Sequence, residues 1–143
     1  MREKRFWQQE AFYVKKKTLV VTAVTGLLAL TLTLFVGNGF RTRTDVALSG
    51  YALSEDGMNM TLHVRVMSSM GYVRSFRDDG GGVKPHYLTF YATFGGLNSS
   101  LGAKDEFVLA LDKRDTEIYF NRPGGGYELV LQKDGETDQW QRP

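Results

Sequence analysis

The chain has 143 residues, a formal net charge of +2 and no cysteine. Without a thiol it has no disulfide, no zinc–thiolate site, no thiol nucleophile and no attachment point for a cysteine-linked lipid. Six of the 18 basic and two of the 16 acidic side chains fall in residues 1–17, which leaves twelve basic against fourteen acidic groups for residues 37–143. The positive balance therefore belongs to the N-terminal tail. It is no evidence for nucleic-acid binding, which calls for a basic stripe on the folded domain itself, and no nucleic-acid partner is expected.

Residues 18–36 read TLVVTAVTGLLALTLTLFV, without a charge, a proline or an amide side chain. A helix over its 18 residues from Leu19 to Val36 covers roughly 27 Å at about 1.5 Å per residue, close to the ~30 Å hydrocarbon core of a bilayer. Every backbone amide must be satisfied internally in that medium, so a lone segment is helical there despite its β-branched residues. Lys15, Lys16 and Lys17 stand directly before the run, whereas only Arg41 and Arg43 follow closely. The bias of basic residues predicts a cytoplasmic tail over 1–17 and an outer domain after residue 36. Phe6, Trp7, Phe12 and Tyr13 suit an interfacial stretch on the inner leaflet. A cleaved signal peptide is the competing reading, but its apolar core is ordinarily 7–15 residues and ends at a small-x-small site, for which Gly37-Asn38-Gly39 is a poor candidate. Thr22 and Gly26 share a helix face, a spacing too common in such helices to define a dimer.

Residues 37–44 read as a polar linker. From residue 45 the period changes to two. The first strand ends at Ser54-Glu55-Asp56-Gly57, whose Asp-Gly is a turn signal. Met58, Met60, Leu62, Val64 and Val66 then alternate with Asn59, Thr61, His63 and Arg65, which predicts a half-buried strand. Residues 72–77 give a third strand. Residues 86–94 give a fourth, with Leu88, Phe90, Ala92 and Phe94 on one side and Tyr87, Thr89, Tyr91 and Thr93 on the other. Phe107, Leu109 and Leu111 mark a fifth, and 117–121 with 127–133 form a hairpin around Arg122-Pro123-Gly124-Gly125-Gly126. Residues 135–143 are polar apart from Trp140 and read as a flexible tail. About seven strands with no helical pattern between them predict a mainly β domain over 45–134, an antiparallel sandwich of Ig-like architecture or a small barrel, because parallel pairing would call for crossover helices.

The stretch LTFYATFGGLNSSLGAKDEFVLAL (88–111), then EIYFNRPGGGYELVLQKD (117–134) and Trp140, resembles a family of uncharacterised small exported proteins of Gram-positive bacteria, membrane-anchored or lipid-anchored. Its pieces are Thr89-Phe90-Tyr91 with Phe94-Gly95, Asn98-Ser99 with Gly102-Ala103-Lys104, Ile118-Tyr119-Phe120, and 129–134. The resemblance covers roughly the last 75 residues. It implies an exported bacterial domain and brings no activity and no functional residues.

No stretch carries a catalytic pattern. His63 falls on the polar face of its strand and His86 at a strand start, both expected as exposed histidines; zinc asks for three or four converging ligands. Asp78-Asp79, Asp105-Glu106 and Asp112 with Asp115 flank turns without the alternating oxygen ligands of a calcium loop. They are expected as solvated turn residues. The triple glycines at 80–82 and 124–126 lack the Gly-Lys-Ser/Thr ending of a phosphate loop. No metal and no cofactor is expected. One surface stands out: Tyr87 and Tyr91 share an outward strand face about 7 Å apart, and Tyr119 alternates outward from Ile118 and Phe120. Together they form a possible binding platform, with cross-strand aromatic packing as the alternative.

The sequence thus predicts a single-pass protein of the cell membrane, cytoplasmic N-terminus and outer β-domain, non-enzymatic. It meets the lipid bilayer through its helix and a cell-envelope protein or glycan through the domain. An accessory subunit of a membrane assembly is the alternative, and a hydrolase with loop-borne residues a more remote one.

Overall fold

A computed structural model describes residues 2–80, 85–96 and 98–143, without the side chains of Arg2 and Phe6. Gly81 and Gly82 of the first triple glycine lie outside the described residues. The chain divides into two compact units, Met1–Phe35 and Val36–Pro143.

One helix, α1 (Arg2–Asn38), takes up the N-terminal region and is long and apolar enough to cross a membrane. At about 1.5 Å per residue it measures roughly 55 Å, so the basic tail continues the helix of the apolar run. Three of its threonines bond within the helix: Thr18, Thr31 and Thr33 donate their hydroxyls to the carbonyls of Val14, Leu27 and Ala29 at 3.0, 2.8 and 2.8 Å. Threonine is tolerated in an apolar run because its hydroxyl has this partner one turn back.

The second unit is built of two sheets. The larger contains β1 (Thr42–Arg43), β4 (Val73–Asp78), β5 (His86–Ala92), β7 (Glu117–Arg122), β8 (Gly126–Lys133) and β9 (Trp140–Gln141). The smaller has the order β2 (Val46–Leu53), β3 (Asn59–Val66), β6 (Glu106–Ala110). The alternation read from the sequence sets the inner faces. Met60, Leu62 and Val64 from β3 and Phe107 and Leu109 from β6 are buried with Leu88 and Phe90 from β5, Ile118 and Phe120 from β7, and Leu131. Phe107 meets Phe90 and Phe76 across the two layers, each at 5.7 Å between ring centroids, and Phe90 meets Phe120 at 4.8 Å. Such edge contacts add to the apolar burial of the rings.

The all-antiparallel expectation is corrected at one pair. β5 and β7 run parallel, with His86 opposite Ile118, Tyr87 opposite Tyr119 and Leu88 opposite Phe120. No crossover helix is needed, because the connection passes through β6 in the other sheet. The segments read as linker and tail are also part of the domain. Val36 to Arg43 carries the helix end, a turn and β1, which pairs with β5. β9 pairs with β8, Trp140 is buried, and the Tyr51 hydroxyl donates to the Trp140 carbonyl at 2.5 Å. Two-residue strands have no periodicity to betray them.

Candidate functional site

The outward face of the larger sheet carries a tyrosine cluster. Parallel register puts Tyr87 beside Tyr119, their ring centroids 5.1 Å apart. Tyr127 on β8 closes the group at 4.8 Å from Tyr87. It does so through a bulge: Ile118 pairs with Leu131 but Tyr119 pairs with Leu129, so one extra residue of β8 is passed over between them. The bulge turns Leu129 and Tyr127 to the outside, although Leu131 faces the core.

A polar rim fixes these rings. Asp79 accepts hydrogen bonds from Thr89 Oγ1, from the Tyr127 hydroxyl at 2.8 Å and from Arg77 Nε at 2.5 Å. Burial pushes the Asp79 carboxyl up, but these donors outweigh it and hold the group below the usual carboxylate range. The Tyr119 hydroxyl donates to Glu117 at 3.1 Å, and burial together with that bond pushes its phenol up. For Tyr127 the bond with Thr89 acts downward, and burial with the bond to Asp79 outweighs it, again raising the phenol. Tyr119 and Tyr127 therefore keep their protons at physiological pH, and the cluster presents flat rings with hydroxyls at their edges.

Of the three tyrosines expected as a platform, Tyr87 and Tyr119 come together. Tyr91 makes no ring contact with them among the described residues and instead lies under Arg77, 5.9 Å from its guanidinium. Tyr127, Asp79 and Arg77 are the members the sequence reading missed. The rings pack against each other across the strands and keep part of their surface in solvent. Tyr127 is the most open, at 40% exposure.

On the opposite side of β5 lies a second cluster that corrects the reading of His86 and Asp115. Both are buried, at 5% and 1% exposure. His86 continues the inward series of Leu88, Phe90 and Ala92, so it falls at the end of the core. Its Nδ1 is 2.6 Å from Asp78 Oδ2, and its Nε2 is 3.0 Å from Asp115 Oδ2. The second contact is off the hydrogen-bond line, so it counts as an ion contact rather than an aligned bond. Burial pushes the imidazole down, but Asp115 and Asp78 outweigh it and raise its pKa above the ordinary 6.5. Asp115 Oδ2 also accepts the backbone N–H of Asp112. The cluster joins the end of β4, the start of β5 and the β6–β7 connection. Among the described residues no hydroxyl is hydrogen-bonded to His86, which leaves the pair of carboxylates as its partners. His63 stays half-exposed, 3.3 Å from Glu106. Among the described residues no group of three His, Asp or Glu is placed to hold a metal ion.

No protein-family model, no curated protein and no solved structure matches this chain. The resemblance to exported Gram-positive proteins accordingly brings no residue role to either cluster.

Proposed function

We propose that this chain is a single-pass membrane protein whose outer β-domain is a non-enzymatic binding module for a cell-envelope glycan. The domain is read as Ig-like in its two packed layers and as part of an exported bacterial family. The observation that supports the ligand class is the tyrosine face: three rings within about 5 Å of their neighbours, held by Asp79, Thr89 and Glu117. Flat rings with hydroxyls and carboxylates at the rim match a sugar, which has one apolar C–H face and hydroxyls around its edge. The basic tail and apolar run favour a cytoplasmic N-terminus.

The test is co-sedimentation of the full chain, in detergent, with purified peptidoglycan sacculi. Each lost ring contact is worth about 0.5–1.5 kcal/mol, so Tyr87→Ala/Tyr119→Ala is expected to weaken binding roughly tenfold. Circular dichroism verifies that the variant is folded. Equal retention of both folded proteins, or no retention of the native chain, would refute the glycan assignment.

A further inference from the structure

We infer that the end of the β-domain at which the chain leaves α1 is built to lie on the bilayer, with Phe40, Met70, Tyr72 and Leu101 entering the headgroup layer. The inference rests on the reading of α1 as a membrane span.

Three connections meet at this end: the segment from the end of α1 to β2, the β3–β4 connection and the β5–β6 connection. Their cross-links are specific. Asn38 Nδ2 donates to the Thr93 carbonyl at 3.1 Å, and Arg74 Nη2 donates to the Gly39 carbonyl at 2.7 Å. Arg43 Nη2 donates to the Met70 carbonyl at 3.0 Å and to Ser68 Oγ at 2.9 Å. The Gly71 amide donates to Asn98 Oδ1 at 3.1 Å. Phe40 packs edge-on against Phe94 at 6.4 Å, and Phe94 is bridged to Leu101. These loops are tied to the chain's exit point by their own hydrogen bonds, so their position relative to residues 36–40 is fixed within the domain.

They nevertheless hold apolar side chains in the open. Phe40 is 66% exposed, Leu101 54%, Met70 53% and Tyr72 43%. Removing such side chains from water is favourable, and the described residues of the domain leave much of their surface open. The bilayer is the occupant that geometry supplies. Phe40 is two residues beyond Asn38, hence within roughly 7 Å of the helix end. The headgroup layer on each side of the hydrocarbon is of that same thickness, about 5–7 Å. Arg41 and Lys104 are exposed at this end and suit lipid phosphates. Apolar side chains with flanking cations form the usual signature of an interfacial contact.

The chain's lack of cysteine provides the test. Single variants Met70→Cys, Leu101→Cys, Leu53→Cys and Leu27→Cys are labelled with an environment-sensitive fluorophore. The full-length protein is then placed in vesicles of phosphatidylcholine with a minority of phosphatidylglycerol, with doxyl-labelled lipid as quencher. Leu53 is 47% exposed at the opposite end of the domain and serves as the reference for an open apolar site. Quenching at Met70 and Leu101 is expected to exceed that at Leu53 by about threefold or more, with Leu27 quenched most strongly. Quenching at Met70 and Leu101 equal to that at Leu53, with Leu27 quenched, would overturn the inference and leave the span intact. An unquenched Leu27 would remove the span and this inference with it.

Discussion

Replacing His86 by Gln tests whether the buried Asp78–His86–Asp115 cluster is held by charge. The imidazole is 6% exposed between carboxylates at 2.6 and 3.0 Å. Gln keeps a polar group of similar length but no cation. Breaking a buried pair costs about 3–5 kcal/mol when the partner charge is stranded, and the lower end applies here because Asp78 retains some solvent contact. A loss of about 3 kcal/mol in a domain of this size lowers Tm by roughly 10–20 °C. The pH dependence separates charge from packing. The folded pKa of His86 is raised above the ordinary 6.5. Folding therefore takes up a proton between those two values. The stabilisation is complete below pH 6.5 and is lost as pH rises through the folded value. Thermal unfolding of the full chain in detergent, followed by circular dichroism from acid to alkaline pH, is expected to show native and variant curves far apart at about pH 5.5 and converging above the folded pKa. Curves that stay parallel across this window would refute a charged His86.

Two further outcomes follow from the packing. Gly39→Ala would drive a Cβ into the Phe94 ring, whereas Gly37 has open space, so Gly39→Ala is expected to destabilise the domain by about 1–3 kcal/mol in denaturant unfolding and Gly37→Ala is not. Trp140→Ala empties a buried site and is expected to destabilise by about 3–5 kcal/mol; a change below about 1 kcal/mol would mean that residues 135–143 are the loose tail their composition suggests.

Much of the fold was legible because the domain obeys a period of two. In β3, β5, β6 and β7 the inner faces are the apolar positions named from the sequence, whereas register shifts at β2, β4 and β8 break the alternation there. What was not legible has definite physical causes. A two-residue strand such as β1 or β9 cannot display a period. A buried histidine at a strand start looks like an exposed one until its neighbours are known. Asp78 and Asp115 reach His86 from segments far apart in sequence, and only the fold places them together.

The tyrosine face shows the same limit more finely. Alternation alone put Tyr87 and Tyr119 outside, and each is there. Applied to β8 it carries Leu131, Leu129 and Tyr127 to one face, the core. The bulge opposite Ile118 and Tyr119 breaks that series, sending Tyr127 outward to within 4.8 Å of Tyr87. The parallel pairing of β5 with β7 does the rest, because it sets Tyr87 directly beside Tyr119. Tyr91 shares their face but lies further along β5, where β1 has replaced β7 as the paired neighbour. Its partner there is Arg77 rather than another ring. Site membership was thus decided by one register shift and one strand direction, and neither is encoded in local periodicity.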